Sequence, residues 1–224
     1  TESHGGGTVE LTWALILALA QRIPHNDAAM KAGGWQTGLG TLLAGRRLGV
    51  VGLGRLGSRV AAIAPAFGME VVAWSQNLTD EAAAAGGARR VSKHELFATA
   101  DVVTVHLTLS ERTRHIVDAA AIGAMRPSAF LVNAARAGLV ETPALVAALQ
   151  GNRIAGAAID VYDEEPLPAG DPLRRVPNLV LTPHVGYVSR ENMGVFYRQM
   201  VENIAAFQAG APIRRLTPDA PSLG

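Results

Sequence analysis

The apolar positions of the chain fall into six short runs with polar or helical stretches between them. Short continuous apolar runs rich in Val, Ile, Leu and Ala are typical of strands that are buried on both faces of a sheet. Helical patterns separate the runs, for example at 118–125 and 142–150. Strands that alternate with helices in this way predict an α/β fold with a doubly wound parallel sheet. The six runs are 48–51, 71–74, 102–107, 129–133, 154–159 and 179–181.

A glycine-rich turn joins the first predicted strand to the helix that follows it. The residues are Gly52-Leu53-Gly54-Arg55-Leu56-Gly57, a G-x-G-x-x-G pattern. Gly52 allows the tight turn, Gly54 lets the backbone approach a pyrophosphate, and Gly57 lets helix and strand pack closely. The helix N-terminus offers phosphates free N–H groups and the positive end of its dipole. Between two strands, this turn favours a dinucleotide site of the Rossmann type over an ordinary glycine turn.

The residues at the end of the second strand leave the choice of dinucleotide open. NAD sites usually place Asp or Glu about twenty residues after the first glycine, where it binds the ribose hydroxyls. This chain has Ser75, Gln76 and Asn77 there. These residues include no carboxylate that would repel a 2′-phosphate and no arginine that would bind one. We favour NAD(H) as the cofactor, with NADP(H) as the alternative.

The composition of the chain excludes several classes of protein and of functional site. A chain of 224 residues with 49% hydrophobic content suits one domain with appendages. A net charge of +1 gives no indication of nucleic acid or an anionic membrane surface as a partner. The absence of cysteine excludes disulfides, thiolate nucleophiles and cysteine metal sites, and we predict no metal site. Neither Lys31 nor Lys93 follows a glycine loop, which argues against P-loop phosphoryl transfer.

Two segments precede the predicted core. Residues 8–23 predict a helix, with Thr8 as a candidate N-cap and an apolar centre too short to span a bilayer. Because it is apolar on most sides, this helix packs within the domain or sits between two domains or subunits. Residues 24–46 are glycine-rich and predict turns and loop, with Trp35 packed onto them. The predicted domain, 1–224, then consists of the helix 8–23, the connection 24–46, the nucleotide-binding core 47–186, and a C-terminal helix and tail 190–224.

Polar residues follow the predicted strands at their carboxyl ends, where parallel α/β sheets bind ligands. Arg136 follows the fourth run and Asp160 the fifth. Glu165 lies a few residues further on, and His184 follows the sixth run. Taken singly, these residues also have non-functional interpretations: His184 as a structural histidine, Glu165 as a solvated turn residue and Arg136 as a surface cation. Their convergence on one crevice with the glycine turn favours a functional interpretation.

These residue types suit hydride transfer to a ketone. The carbonyl oxygen must receive a proton as hydride reaches the carbon, and histidine, here His184, titrates near neutrality. A carboxylate on the other ring nitrogen fixes the tautomer and favours the imidazolium, and Glu165 is a candidate for that part. Arginine can hold a substrate carboxylate with two parallel hydrogen bonds and polarise the neighbouring carbonyl, which is the predicted task of Arg136.

The chain resembles the D-isomer-specific 2-hydroxyacid dehydrogenases, a family that includes D-3-phosphoglycerate dehydrogenase and the glyoxylate/hydroxypyruvate reductases. The matching stretches cover almost the whole chain in the family's order, and the last three are specific to it. They are 8–17, 49–57, Val-Asn-Ala-Ala-Arg at 132–136, Asp-Val-Tyr-Asp-Glu-Glu-Pro-Leu at 160–167, and Thr-Pro-His-Val-Gly at 182–186.

The resemblance implies an oxidoreductase that transfers hydride between a nicotinamide cofactor and C2 of a small 2-hydroxy or 2-keto acid. It implies that Arg136 binds substrate and that Glu165 pairs with His184, the acid/base. It also implies cofactor contacts at the pyrophosphate, the ribose, the loop after the third strand run and the nicotinamide end, with Asp160 at the carboxamide. The implied cofactor residues are Gly52, Gly54, Arg55, Leu56, Gly57, Ser75, Leu107, Thr108, Thr113, Ala134, Ala135, Arg136, Asp160, His184 and Gly186.

The sequence departs from the family's pattern in three ways. Thr108 stands where proline is usual, which predicts a different loop conformation, and Ala137 stands where glycine is common. The family also carries a flavodoxin-like substrate domain ahead of the helix that here starts at Thr8, and this sequence shows none of it. We therefore expect the chain to bind cofactor and to turn over poorly by itself. The C-terminal pattern 192–207 resembles the helix that returns toward that domain.

The resemblance further implies homodimers built on the nucleotide-binding domains, and we expect a cytoplasmic protein. A non-enzymatic alternative is an NAD(H)-responsive binding or regulatory module, because the family includes corepressors that use the fold for assembly. Retention of the arginine, glutamate and histidine together favours the enzyme. A short-chain dehydrogenase is disfavoured because Tyr162, Tyr187 and Tyr197 all lack a lysine four residues on.

Overall fold

A seven-stranded parallel sheet forms the centre of the computed structural model, which describes residues 5–215. The first four residues and the end of the predicted tail, 216–224, lie outside the described residues. The strands are β1 (Arg47–Val51), β2 (Glu70–Trp74), β3 (Arg89–Arg90), β4 (Val102–Val105), β5 (Phe130–Asn133), β6 (Gly156–Ile159) and β7 (Leu179–Leu181). The α-helices are α1 (Gly6–Ala20), α2 (Ile23–Lys31), α3 (Arg55–Ile63), α4 (Asp80–Ala85), α5 (Lys93–Thr99), α6 (Ala119–Ala124), α7 (Thr142–Gln150) and α8 (Arg190–Gln208).

The strand order confirms the predicted doubly wound sheet. The order is β3-β2-β1-β4-β5-β6-β7, and every neighbouring pair is parallel. β1 and β4 are neighbours in the sheet, with Val51 opposite Val105, although two strands separate them in the chain. The winding direction reverses between β1 and β4, so a crevice opens beyond the carboxyl ends of these strands. The glycine turn leaves β1 at that crevice.

The central strands β1, β4, β5 and β6 are buried on both faces, which explains why they are largely apolar instead of alternating. Successive residues of β4 and β5 supply opposite layers: Val103 and Leu131 belong to the cluster that α5, α6 and α7 cover. Val102 and Val132 belong to the cluster that α1 and α3 cover. Full burial of each side chain of this size stabilises the fold by about 1.5–3 kcal/mol. The two layers therefore fix the strand ends on which the site is built.

α1 packs on this sheet. The Trp13 indole Nε1 donates to the Val60 carbonyl at 3.1 Å, and Ile16 is fully buried. Because α1 begins at Gly6, Thr8 lies in its first turn and is not the N-cap, which corrects the sequence prediction. The Thr8 hydroxyl donates instead to the Gly186 carbonyl at 3.1 Å. α1 therefore packs within the domain, and the prediction that it also lies between two domains or subunits stays a prediction.

The prediction for the connection 24–46 was wrong in part. Its beginning is helical (α2), because the glycines start only at Gly33 and Lys31 pairs with Asp27 one turn earlier at 2.7 Å. Trp35 does not pack onto the connection, since it is 73% exposed. α4 and β3 were also missed, because a short alanine-rich stretch and a two-residue strand give no clear periodicity.

α8 corresponds to the predicted C-terminal helix. Its N-cap is Ser189, whose hydroxyl accepts from the Asn192 N–H at 3.2 Å. Large apolar side chains are exposed along it, among them Val201 and Phe207. This exposed face is compatible with packing on a further domain, which stays a prediction. None of the helices described between residues 5 and 215 is long and apolar enough to cross a membrane.

Candidate active site

The glycine turn leaves open space where a pyrophosphate would lie. Gly52 has a φ of +98°, a backbone conformation that strains any other residue. A Cβ on Gly57 would stand 2.0 Å from the Gly52 carbonyl oxygen, so the turn itself requires glycine at both positions. A Cβ on Gly54 would meet nothing within 4 Å. Glycine at 54 is therefore compatible with close approach of a ligand to the N-terminus of α3, and the residues fit a dinucleotide.

The other predicted cofactor residues lie along the same carboxyl edge of the sheet, after β1, β2 and β4–β7. Their contacts with a cofactor stay predictions. The N-terminus of α3 carries Arg55 and Leu56, the end of β2 is followed by Ser75, and the loop after β4 contains Leu107, Thr108 and Thr113. On the other half of the sheet, β5 is followed by Ala134, Ala135 and Arg136, β6 by Asp160, and β7 by His184 and Gly186.

The loop after β4 is closed by Thr113. Its hydroxyl donates to the Thr108 carbonyl at 2.7 Å and accepts from the Ser110 N–H at 2.8 Å. Thr108 enters this closure through its backbone, so the loop closes with threonine at the position where proline is usual. Thr113 therefore shapes the rim of the crevice from within the loop.

His106 lies beneath the glycine turn. The ideal Cβ of Gly52 would stand 2.9 Å from the His106 carbonyl carbon, and the His106 Nε2 lies 2.9 Å from the Thr104 hydroxyl. Burial lowers the pKa of His106 from 6.5 to about 4. The ring is thus neutral at pH 7 and adds no positive charge to the crevice. Sequence reasoning treated His106 as part of the apolar run 102–107 and gave it no role.

The loop that carries Arg136 is braced by Asn133, which is 1% exposed. The Asn133 Nδ2 donates to the Arg136 carbonyl at 3.0 Å, and its Oδ1 accepts from the Ala135 N–H at 3.1 Å. The guanidinium of Arg136 is exposed and donates to the Ala135 carbonyl at 2.7 Å. Sequence reasoning gave Asn133 no role, although an amide at the end of an apolar run was a usable signal.

His184 and Glu165 form the pair that the sequence predicted. The His184 Nδ1 lies 2.6 Å from one carboxylate oxygen of Glu165, and the other accepts from the Tyr162 N–H at 2.9 Å. Burial raises the pKa of Glu165, but the hydrogen bonds from His184 and Tyr162 and the charge of nearby Arg136 outweigh it, so the pKa is lowered. Glu165 is therefore ionised at neutral pH. Its contact with Nδ1 leaves the Nε2 of His184 available for a substrate.

Asp160 holds the backbone on both sides of His184. His184 has a φ of +54°, which costs about 1–2 kcal/mol for a residue with a side chain. One oxygen of the buried Asp160 carboxylate accepts from the Thr182 hydroxyl at 2.6 Å and the Val185 N–H at 2.9 Å. The other accepts from the Gly186 N–H at 3.0 Å. This positioning role was not predicted, and the predicted contact of Asp160 with the cofactor carboxamide stays a prediction.

An open cleft of about 680 Å³ lies beside the His184–Glu165 pair. The Tyr187 ring meets the imidazole of His184 edge-on, with ring centroids 5.7 Å apart. The pair thus stands in the wall of a cavity large enough for a small acid. The cleft is lined by Tyr162, Glu165, Pro166, Leu167, Arg174, Leu181, Thr182, Pro183, His184, Tyr187 and Val188.

Comparison with known proteins agrees with the observed fold. Residues 13–186 match the family described as "D-isomer specific 2-hydroxyacid dehydrogenase, NAD binding domain". A glyoxylate reductase of Aeropyrum pernix is 40% identical over 91% of this chain. The structure of a phosphoglycerate oxidoreductase from Vibrio cholerae matches with a TM-score of 0.88, at 38% identity over 93% of this chain and 68% of that one. A D-lactate dehydrogenase from Aquifex aeolicus, complexed with NAD and lactic acid, matches with a TM-score of 0.80, at 27% identity over 92% of this chain and 67% of that one.

The order of the parallel strands and the glycine turn after β1 define a dinucleotide-binding domain, of the class found in oxidoreductases. The chain belongs to the D-isomer-specific 2-hydroxyacid dehydrogenase family, in its NAD-binding domain. It spans 63% of the length of the Aeropyrum glyoxylate reductase.

Proposed function

We propose that this protein transfers hydride between a nicotinamide dinucleotide and C2 of a small 2-hydroxy or 2-keto acid. The observation that supports this most strongly is the 2.6 Å contact between His184 and Glu165 at the carboxyl edge of the sheet. The charge of Arg136 lies close enough to lower the pKa of Glu165. A candidate acid/base pair, a cation suited to a carboxylate and a glycine turn therefore lie along one edge of the sheet, which supports the proposal.

Each residue of the site has a distinct task in the proposed reaction. The bound nicotinamide supplies the hydride for reduction and accepts it for oxidation. Arg136 binds the substrate carboxylate with two hydrogen bonds and thereby orients the neighbouring carbonyl. His184 donates the proton on Nε2 to the carbonyl oxygen, where negative charge develops. Glu165 holds the Nδ1–H and stabilises the protonated ring before the transfer.

The proposal is tested with two aldehydes that differ in the carboxylate. Glyoxylate has a carboxylate for Arg136 and glycolaldehyde has a hydroxymethyl group in its place. We expect NADH or NADPH to be oxidised slowly with glyoxylate and at least about tenfold more slowly with glycolaldehyde, because a charged hydrogen-bonded contact is lost. The decrease of nicotinamide absorbance measures both rates. Equal rates with the two aldehydes would contradict the task of Arg136.

We further propose that the protein forms a homodimer and is located in the cytoplasm. Large apolar side chains are exposed along 23–42, and contiguous apolar surface is typical of interfaces. Sedimentation velocity is expected to show a dimer at micromolar concentration, and a monomer would contradict the proposal. The exposed side chains are Ile23, Met30, Trp35, Leu39 and Leu42.

A further inference from the structure

An arginine lies at the end of β2, although the residues that follow β2 in the chain include none. The Arg112 Nη2 donates to the Gln76 Oε1 at 2.9 Å. Arg112 belongs to the loop after β4, and Gln76 follows β2. β1 lies between these two strands in the sheet, so this hydrogen bond joins the two loops across the carboxyl end of β1. It therefore spans the crevice next to the glycine turn.

The charge of Arg112 is not balanced by a carboxylate. The guanidinium of Arg112 is hydrogen-bonded to the neutral amide of Gln76, and Arg112 is exposed. None of the ion pairs formed within residues 5–215 includes it. Arg90, which also lies at this side of the sheet, is 3.5 Å from Asp80. The end of β2 thus presents a cation that an anionic ligand can reach.

We propose that Arg112 and Gln76 bind the 2′-phosphate of NADP(H), so that the chain accepts NADPH at least as tightly as NADH. The proposal rests on the dinucleotide site proposed above, because the end of β2 is where such a site holds the adenosine ribose. Ser75, Gln76 and Asn77 place no carboxylate there to repel the phosphate. The residues directly after β2 had indicated no arginine for this phosphate, because Arg112 lies 36 positions further along the chain than Gln76.

The chemistry of the two side chains suits a phosphate monoester. A guanidinium donates two parallel hydrogen bonds to phosphate oxygens, and these bonds are stronger because both partners are charged. The Gln76 amide keeps the guanidinium over the ribose position before the ligand arrives, which reduces the entropy lost on binding. Its own NH₂ group is a further donor to the phosphate. An exposed site of this kind weakens as salt is added.

The experiment compares binding of NADPH and NADH to the 224-residue chain by nicotinamide fluorescence. We expect Arg112→Gln to raise the Kd for NADPH at least about tenfold and the Kd for NADH less than about twofold, because only the phosphate contact is removed. Displacement of the bound dinucleotide by 2′,5′-ADP and by 5′-AMP isolates the contribution of the 2′-phosphate to binding. We expect Arg112→Gln to weaken the binding of 2′,5′-ADP and to leave the binding of 5′-AMP unchanged. Arg175→Gln is the matched control, since Arg175 is exposed and lies shortly before β7 begins.

Three results, each obtained with a chain that binds NADH, would overturn the inference and leave the proposed function standing. In the first, Arg112→Gln changes the Kd values for NADH and NADPH equally or changes neither. In the second, the wild-type chain binds NADPH about tenfold more weakly than NADH. In the third, Arg175→Gln has an effect as large as that of Arg112→Gln, which would attribute the change to net charge. If neither dinucleotide binds, the proposed function fails and the inference fails with it.

Discussion

Replacing His184 with glutamine is expected to lower turnover of glyoxylate at least about 100-fold, because the group that protonates the developing alkoxide is lost. Glutamine is similar in size and keeps an amide that can donate to Glu165, so the loop held by Asp160 is retained. The affinity for dinucleotide is expected to change less than about threefold, since the glycine turn and α3 are untouched. Steady-state rates and fluorescence titrations on the same preparation separate the two effects.

The matched control for this prediction is His94→Gln. His94 is exposed on α5 and takes no part in the site. Its replacement is expected to leave rate and affinity unchanged. If His184→Gln retained more than about a tenth of the wild-type rate, another proton donor would be required and the assigned role of His184 would be wrong.

The second large effect concerns Gly54. Gly54→Val is expected to raise the Kd for dinucleotide at least about tenfold, because the side chain occupies the space through which the pyrophosphate approaches the backbone. The fold tolerates the change: φ is −84° and ψ is −159°, at the border of the extended region that valine favours, and an added Cβ meets nothing within 4 Å. Gly54 is the N-cap of α3, so the free energy of unfolding falls by no more than about 1 kcal/mol.

Gly57→Val provides the contrast within the same turn. Its Cβ would stand 2.0 Å from the Gly52 carbonyl oxygen, so the backbone must shift. We expect a loss of at least about 2 kcal/mol in the free energy of unfolding, measured by urea denaturation. If Gly54→Val destabilised the chain as much as Gly57→Val and bound dinucleotide normally, glycine at 54 would serve the fold and not a ligand.

Much of the fold was predictable because six strands appear in the sequence as continuous apolar runs, and four of them, β1, β4, β5 and β6, are buried almost throughout. β3 is different: Arg89 and Arg90 form a strand only because they pair with Val72 and Ala73. α2 was hidden by the glycines that follow it, and Trp35 was placed inside although it is exposed. Local pattern predicts a segment when its own burial determines its structure, and it fails when a distant partner does.

The site shows the same division. The positions of Arg136, Glu165 and His184 were predictable, because each follows a strand run and all carboxyl ends of a parallel sheet meet at one edge. Asp160 and its support of the loop around His184 were not, since three hydrogen bonds to residues more than twenty positions away define that role. The contact of Arg112 with Gln76 joins residues 36 positions apart and depends on the strand order.

Transfer of a deuterium label tests the central claim most directly. The chain, in excess over glyoxylate, is incubated with a reduced dinucleotide deuterated at the transferable position of nicotinamide C4, and the glycolate formed is examined by NMR. A single turnover suffices, so a slow rate does not obscure the result. We predict deuterium at C2 of glycolate with the wild-type chain, formed at least about 100-fold more slowly with His184→Gln. Saturable dinucleotide binding without label at C2 would contradict hydride transfer and favour a dinucleotide-responsive module without catalysis.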